Sequence, residues 1–117
     1  MNSEQLSIVH SALNKIIFNA GEQQIVAKAA LERMKPTPEQ YKEASCKYAI
    51  TTYILGVLNF IKEIAEKGNA DLTENYIRFY AYQIGEYGTP DGSDVISQAQ
   101  KNLKDILDYL ITEFIEK

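Results

Sequence analysis

Histidine and cysteine, which most often carry acid–base, nucleophilic or metal chemistry, each occur once in this sequence, as His10 and Cys46. His10 lies between Leu6 and Leu13 in a helical pattern, which favours a histidine at the edge of a core. The sequence lacks the Glu-x-x-His motifs of metal-binding bundles, has too few ligands for zinc, and contains no nucleotide-binding glycine loop. It therefore predicts no catalytic residues, no cofactor and no metal, and we expect a protein that is not an enzyme.

A group of residues suited to binding lies in and beside the segment NYIRFYAYQIGEY, residues 75–87. Glu74, Arg78 and Tyr82 are spaced four residues apart and share one face of a predicted helix, with Phe79 beside them. Tyrosine and arginine are enriched in binding hot spots because they combine a large contact area with hydrogen bonding. These four residues, the aromatic–arginine patch, are predicted to bind a partner; the competing interpretation is a solvated Glu–Arg pair beside a core aromatic residue.

A second feature is a stripe of small residues on the longest predicted helix. Its members follow one another at spacings of three and four residues and lead on to Glu63; they are Ser45, Ala49, Thr52, Gly56 and Asn59. A glycine inside a helix costs about 1 kcal/mol relative to alanine, so we expect close packing of another backbone against this stripe. The sequence leaves three alternatives open: another helix of this chain, a second subunit or partner, or ordinary exposed surface.

Composition limits the function classes. The chain has 117 residues, 45% of them hydrophobic and 24% charged, which is typical of one soluble globular domain with its own core. Residues 71–117 contain nine acids and four bases, and this excess of negative charge argues against nucleic acid and favours a partner with a basic surface. A lone cysteine, the lack of a visible signal peptide and an uncharged run too short to span a bilayer predict a cytoplasmic protein that does not bind membranes.

The elements that must position these residues all have helical periodicity. Thr37 and Gln40 form a capping box that opens a helix over about 38–67, which Gly68 ends. A helix over 3–20 is expected to break or kink at Gly21, before a shorter helix over 22–34. The apolar positions predicted to face the core in these two helices are Leu6, Val9, Leu13, Ile16 and Ala20, then Ile25, Val26, Ala29, Ala30 and Met34.

The second half of the chain has the same pattern. Asp71 and Glu74 are predicted to form a second capping box, a turn-rich loop with Pro90 covers 86–93, and a last helix covers about 94–116. The predicted inward residues are Leu72, Tyr76, Tyr80, Ile84 and Tyr87, then Ile96, Ala99, Leu103, Ile106, Leu110 and Phe114. The expected fold is an all-α, single-domain antiparallel bundle of four to five helices, 1–117, around one long central helix.

Two binding functions fit these features, ahead of a third interpretation, a helix-rich enzyme in which carboxylates and tyrosines do acid–base work. The first is a small protein-binding module of the inhibitor, immunity-protein, chaperone or adaptor type, with self-association into a homodimer through the small-residue stripe. The alternative is a binder of a small-molecule or nucleotide-type ligand, in which tyrosines line a pocket between helices and Arg78 meets an anionic group.

Overall fold

The computed structural model describes residues 1–33, 35–88 and 94–116, and all regular secondary structure in these ranges is helical. Four α-helices follow one another: α1, Ser3–Leu31; α2, Pro38–Glu66; α3, Ala70–Tyr87; and α4, Val95–Leu110, which continues into a π-helical segment, Ile111–Ile115. The all-α class is confirmed, with four helices packed against each other. Most of the predicted loop over 86–93 and the position of Met34 lie outside the described residues.

Local sequence determines where the first two helices begin. The Thr37 hydroxyl accepts a hydrogen bond from the Gln40 backbone at 3.1 Å, and the Gln40 side chain accepts one from the Thr37 backbone at 3.0 Å. Asn2 and Gln5 form a matching capping box at the start of α1. Gly68 follows α2 with φ of 78°, the left-handed conformation that was predicted to stop this helix.

The predicted break at Gly21 is wrong, because α1 runs through this residue and is 29 residues long, the same length as α2. A glycine in a helix carries only a modest penalty, and a Cβ atom at Gly21 would meet nothing within 4 Å in residues 1–33, 35–88 and 94–116. Continuity also sets the helical phase of the following turns. Ile25 and Val26, predicted to face inward, are 67% and 63% exposed, and Ala27 is buried instead.

The second capping box is also wrong. The side chain of Asn69, not Asp71, accepts from the backbone of Leu72 at 2.9 Å, so α3 begins at Ala70 and Asp71 already lies inside it. The inward face of α3 differs as well: Thr73, Ile77 and Ala81 are buried. The residues predicted to face inward divide into the exposed Leu72 and Tyr87 and the half-buried Tyr76, Tyr80 and Ile84.

The core lies where α2, α3 and α4 meet the first half of α1. Its fully buried side chains are Val9, Leu13, Leu58, Ile61, Ile77, Leu103, Leu107 and Leu110. The α1 and α2 helices run antiparallel, since Gln24 hydrogen-bonds Thr52 at 3.0 Å and His10 lies 3.5 Å from Glu66. In α4 the predicted inward Ile96 is 63% exposed, whereas Ala99, Leu103 and Leu110 are buried as predicted.

By length and composition α2 could cross a membrane, although core helices of soluble proteins pass the same test and this is weak evidence for one. Its apolar residues divide between the core and the surface. Ile54, Leu58 and Ile61 are buried against neighbouring helices, whereas Ala49 and Tyr53 face solvent. The uncharged middle of α2 is therefore accounted for in part by burial in the bundle.

Candidate interaction surface on α3

Phe79 and Tyr82 stand on the outer face of α3, with 53% and 61% of their surfaces exposed. Their exposure follows from the helical phase, because burial of Thr73, Ile77 and Ala81 turns the opposite face to solvent. The two aromatic residues are separated by three positions and therefore lie side by side, about one turn apart. Of the four patch residues, these two offer the largest apolar area.

Glu74 and Arg78 border this aromatic face and form an ion network. The Glu74 carboxylate accepts from the amino group of Met1 at 2.6 Å and from Arg78 Nε at 3.0 Å. Arg78 also donates through a guanidinium nitrogen to Glu116 at 3.2 Å. The guanidinium thus joins α3 to the residue that follows the π-helical segment. Arg78 therefore makes a tertiary contact in addition to bordering the exposed aromatic face.

The ion network shifts the pKa values of both charged residues. Hydrogen bonds from the Met1 amino group and then from Arg78 lower the pKa of Glu74 below its usual 4.5. The hydrogen bond to Glu74, followed by that to Glu116, raises the pKa of Arg78. Both shifts favour the charged forms, so the border of the patch stays ionised at neutral pH.

Ring contacts hold the aromatic face in place. Phe79 meets Tyr80 edge-on with ring centroids 5.7 Å apart, and Tyr80 stacks on Tyr76 at 6.2 Å. Tyr76 in turn meets Phe60 of α2 edge-on at 5.0 Å. This continuous set of rings ties the exposed Phe79 to the packed interior, because the half-buried Tyr76 and Tyr80 pack against the core on one side and support the patch on the other.

A shallow groove of about 510 Å³ runs beside Tyr82 between α3 and α4. Its walls include Arg78 and Tyr82 on one side, and Lys104 and Asp108, paired at 2.6 Å, on the other. A Cβ atom at Gly85 would lie 3.1 Å from Lys104 Cε, so the missing side chain leaves room for the lysine at the groove. A side chain from a partner could enter this groove while the partner covers Tyr82.

The small-residue stripe lies on the outward side of α2. Ala49, Thr52, Gly56 and Asn59 are exposed and Ser45 is half-buried. A Cβ atom at Gly56 would meet nothing within 4 Å among the described residues, so the alternative that another of the four described helices packs against Gly56 is wrong. The Thr52 hydroxyl donates to the Tyr48 carbonyl at 2.7 Å and accepts from the Gln24 side chain at 3.0 Å, so α1 reaches the stripe at Thr52 but not at Gly56.

The alternative function predicted a pocket between helices that is lined by tyrosines and reached by Arg78, and the tyrosine-lined cavity in the structure differs from it. Tyr53, Tyr80 and Tyr87 line a cavity of about 200 Å³, and Arg78 is not among its lining residues. Typical ligand sites measure about 300–1,000 Å³, so this tyrosine cavity is too small for most of them. A larger cleft, between α1, α2 and α4, was not anticipated from the sequence. Its walls come from three helices, and no motif in the sequence pointed to it.

The two residues singled out for chemistry are far apart in sequence and in different settings. His10 lies near Glu66 on the surface of the α1–α2 pair, and Cys46 is half-buried on α2. Within the described ranges, histidine, cysteine and carboxylate side chains do not gather in groups of three or more that could hold a metal ion.

Comparisons with known proteins found no relative of this chain: no family model, curated protein or solved structure matches it.

Proposed function

We propose that this chain is a non-enzymatic, cytoplasmic protein-binding module that uses the outer face of α3 to bind a protein with a basic surface. The observation that carries this proposal is the exposure of Phe79 and Tyr82 side by side on a well-packed helix. Large aromatic side chains on a rigid support bind with a low entropic cost, because few rotamers have to be fixed.

Charge around the patch supports the choice of partner. Asp71, Glu74 and Glu86 lie on α3 around the two aromatic residues, and Glu116 is brought to its edge by Arg78. Against these four carboxylates stand two cations, Arg78 and the Met1 amino group that pairs with Glu74, so the border keeps a net negative charge. A ring of acids around an apolar centre is complementary to lysine and arginine around an apolar counterpart, and such charges speed association.

The test compares two double variants that remove the same residue types. Phe79→Ala/Tyr82→Ala deletes the patch, and Phe18→Ala/Tyr41→Ala deletes a phenylalanine and a tyrosine that are 66% and 55% exposed on α1 and α2. Proteins captured from the native source by the wild-type chain are quantified against each variant, and the captured partner is then titrated calorimetrically. We expect the patch variant to weaken binding by about 2 kcal/mol or more, roughly 30-fold, and the control to bind as wild type.

Two results contradict the proposal. One is full binding by the patch variant; the other is an equal loss in both variants, which would locate the contact elsewhere. Raised salt should also lower the affinity of the wild-type chain, because the proposed complementary charges are exposed to solvent.

The exposed stripe on α2 supports a proposal of self-association into a homodimer, in which the small residues allow two backbones to approach. Light scattering after size-exclusion chromatography measures this directly. We expect the wild-type chain to elute as a dimer and Gly56→Leu to elute as a folded monomer, since a Cβ atom at Gly56 meets nothing within 4 Å in the described part of the chain. A monomeric wild-type chain, or a dimer unchanged by Gly56→Leu, makes the stripe ordinary surface.

A further inference from the structure

A cleft of about 550 Å³ opens between α1 and α4, with α2 as its floor. The α1 helix packs along α2, and α2 contacts α3 and α4, but α1 and α4 hardly touch. The α1–α4 side of the bundle is therefore open along this stretch. The volume falls within the range of about 300–1,000 Å³ that is usual for small-molecule sites.

The floor and lower walls of the cleft are mainly aliphatic, with Cys46 and Thr51 of α2 also in the floor. Ile50 and Ile54 of α2, Ile16 of α1 and Ile106 of α4 supply the surface, and Ala20 keeps the α1 wall low. Ile54 is only 5% exposed, so this floor belongs to the packed core and is held in place by it. A rigid apolar floor of this kind binds a flat apolar body by excluding water from both.

Side-chain amides line the rim on both walls. Asn19 and Gln23 stand on α1, and Asn102 stands opposite on α4. These three amides are not hydrogen-bonded to any other group in the described part of the chain, and each offers a donor and an acceptor. The cleft therefore presents free hydrogen-bonding groups directly above an aliphatic floor.

The charges at the cleft cancel. Glu43 and Lys47 lie one turn apart on α2 and both line it. They contribute one negative and one positive charge, so the cleft favours neither anions nor cations. This sets it apart from the acidic border of the aromatic–arginine patch.

We propose that the cleft binds a neutral, flat small molecule whose apolar body lies on the isoleucine floor and whose amide or lactam edge pairs with the rim amides. A lactam edge carries an N–H donor beside a carbonyl acceptor, and this pair matches the two functions of an asparagine or glutamine side chain. The site is separate from the binding surface on α3, and neither proposal depends on the other.

The probe is 2-quinolone, an uncharged bicyclic lactam, titrated into isotopically labelled protein and followed by amide chemical shifts. We expect saturable shifts at the side-chain amides of Asn19, Gln23 and Asn102 and at the backbone of Ile50. N-methyl-2-quinolone, which lacks the donor, should bind roughly fivefold more weakly, in keeping with the loss of one neutral hydrogen bond.

Matched variants locate the site. Ala20→Phe should fill the cleft and abolish the shifts, whereas Ala29→Phe, an exposed alanine of α1 outside the cleft, should bind as wild type. Asn102→Leu removes an exposed rim amide without touching the core, and should weaken binding roughly fivefold.

Four results overturn the proposal. The first is a titration that does not saturate, the second is shifts that cluster outside the cleft, and the third is equal binding by Ala20→Phe and the wild-type chain. A preference for a peptide helix over 2-quinolone at the same residues would also overturn it, by making the cleft a protein-docking groove.

Discussion

The two faces of α3 contrast in a way that reverses the usual distribution of residue size. The buried face carries Thr73, Ile77 and Ala81, which are small or medium in volume, whereas the solvent face carries Phe79 and Tyr82. Large apolar residues are normally the first to be buried, because the hydrophobic gain grows with area. A helix that buries its smaller residues packs closely on its neighbours and leaves its largest ones available to something else.

The sequence could not decide between these faces. Apolar residues occur all around α3, so a period of about 3.6 residues fits an inward face through Tyr76 and Tyr80 as well as one through Thr73 and Ile77. The choice is made by the space available against α2 and α4, which accepts a threonine and an alanine but leaves the tyrosines half-buried. Burial is thus a tertiary property here, whereas helix formation is local.

The largest expected effect on the free energy of unfolding comes from truncating a side chain on the buried face of α3, and the same truncation on the exposed face should have a much smaller effect. Ile77→Ala removes a fully buried side chain from the core and should lower the free energy of unfolding by about 2–5 kcal/mol. Phe79→Ala removes a larger side chain that is 53% exposed, and should lower it by less than about 1 kcal/mol. Urea unfolding followed by circular dichroism measures both. Equal losses would mean that Phe79 is a core residue and that the contrast does not hold.

Local signals in this chain predicted helix ends well when the side chain and backbone groups lay within one turn. The box formed by Thr37 and Gln40 and the left-handed stop at Gly68 are examples, because each depends on a few neighbouring residues. The capping box predicted at Asp71 was wrong because two residues that can cap a helix, Asn69 and Asp71, lie two positions apart. The Asn69 side chain is the one that accepts the hydrogen bond from the Leu72 backbone. The cleft between α1 and α4 could not be predicted, since it depends on the distance between helices that are remote in sequence.

Gly21 of α1 and Gly56 of α2 test in the same way whether the outer surfaces of these two helices are free of packing contacts. Gly21→Ala should raise the free energy of unfolding by about 1 kcal/mol, because Gly21 lies in a helix interior and a Cβ there meets nothing within 4 Å among the described residues. Gly56→Ala should do the same in a monomer, but in the proposed homodimer the added Cβ stands against the second backbone and should lower the free energy of unfolding. Gly68→Ala is the control of opposite sign, expected to cost about 1 kcal/mol because Gly68 has φ of 78°. A loss of stability on Gly56→Ala would reveal close packing at the stripe, as in a homodimer.

Arg78 lies at the boundary between the two faces of α3 and tests whether the border of the patch is structural. Arg78→Ala breaks the bonds to Glu74 and Glu116, but 42% of the side chain is exposed, so solvent screening limits the loss to about 1 kcal/mol or less. Arg78→Lys keeps the charge and loses the forked geometry. If thermal melting shows a loss as large as that of Ile77→Ala, Arg78 belongs to the buried framework and not to the border.

The smallest effect concerns the pH dependence of that border. The pKa of Glu74 is lowered in the folded chain, first by the Met1 amino group and then by Arg78, so ionised Glu74 stabilises the fold. For a lowered pKa this contribution is complete above the usual carboxyl value of 4.5 and is lost as the pH falls through the folded-state pKa.

Glu74→Gln removes the titrating group, so the difference in melting temperature between wild type and this variant should be largest near neutral pH and shrink below about pH 4.5. Glu86→Gln, on the same helix, is the matched control, because Glu86 forms no ion pair within the described residues; its difference from wild type should stay small across the range. A wild-type advantage over Glu74→Gln that persists unchanged into acid would mean that packing, not charge, holds Glu74. The outer face of α3 would then have no ionised border to attract a basic partner.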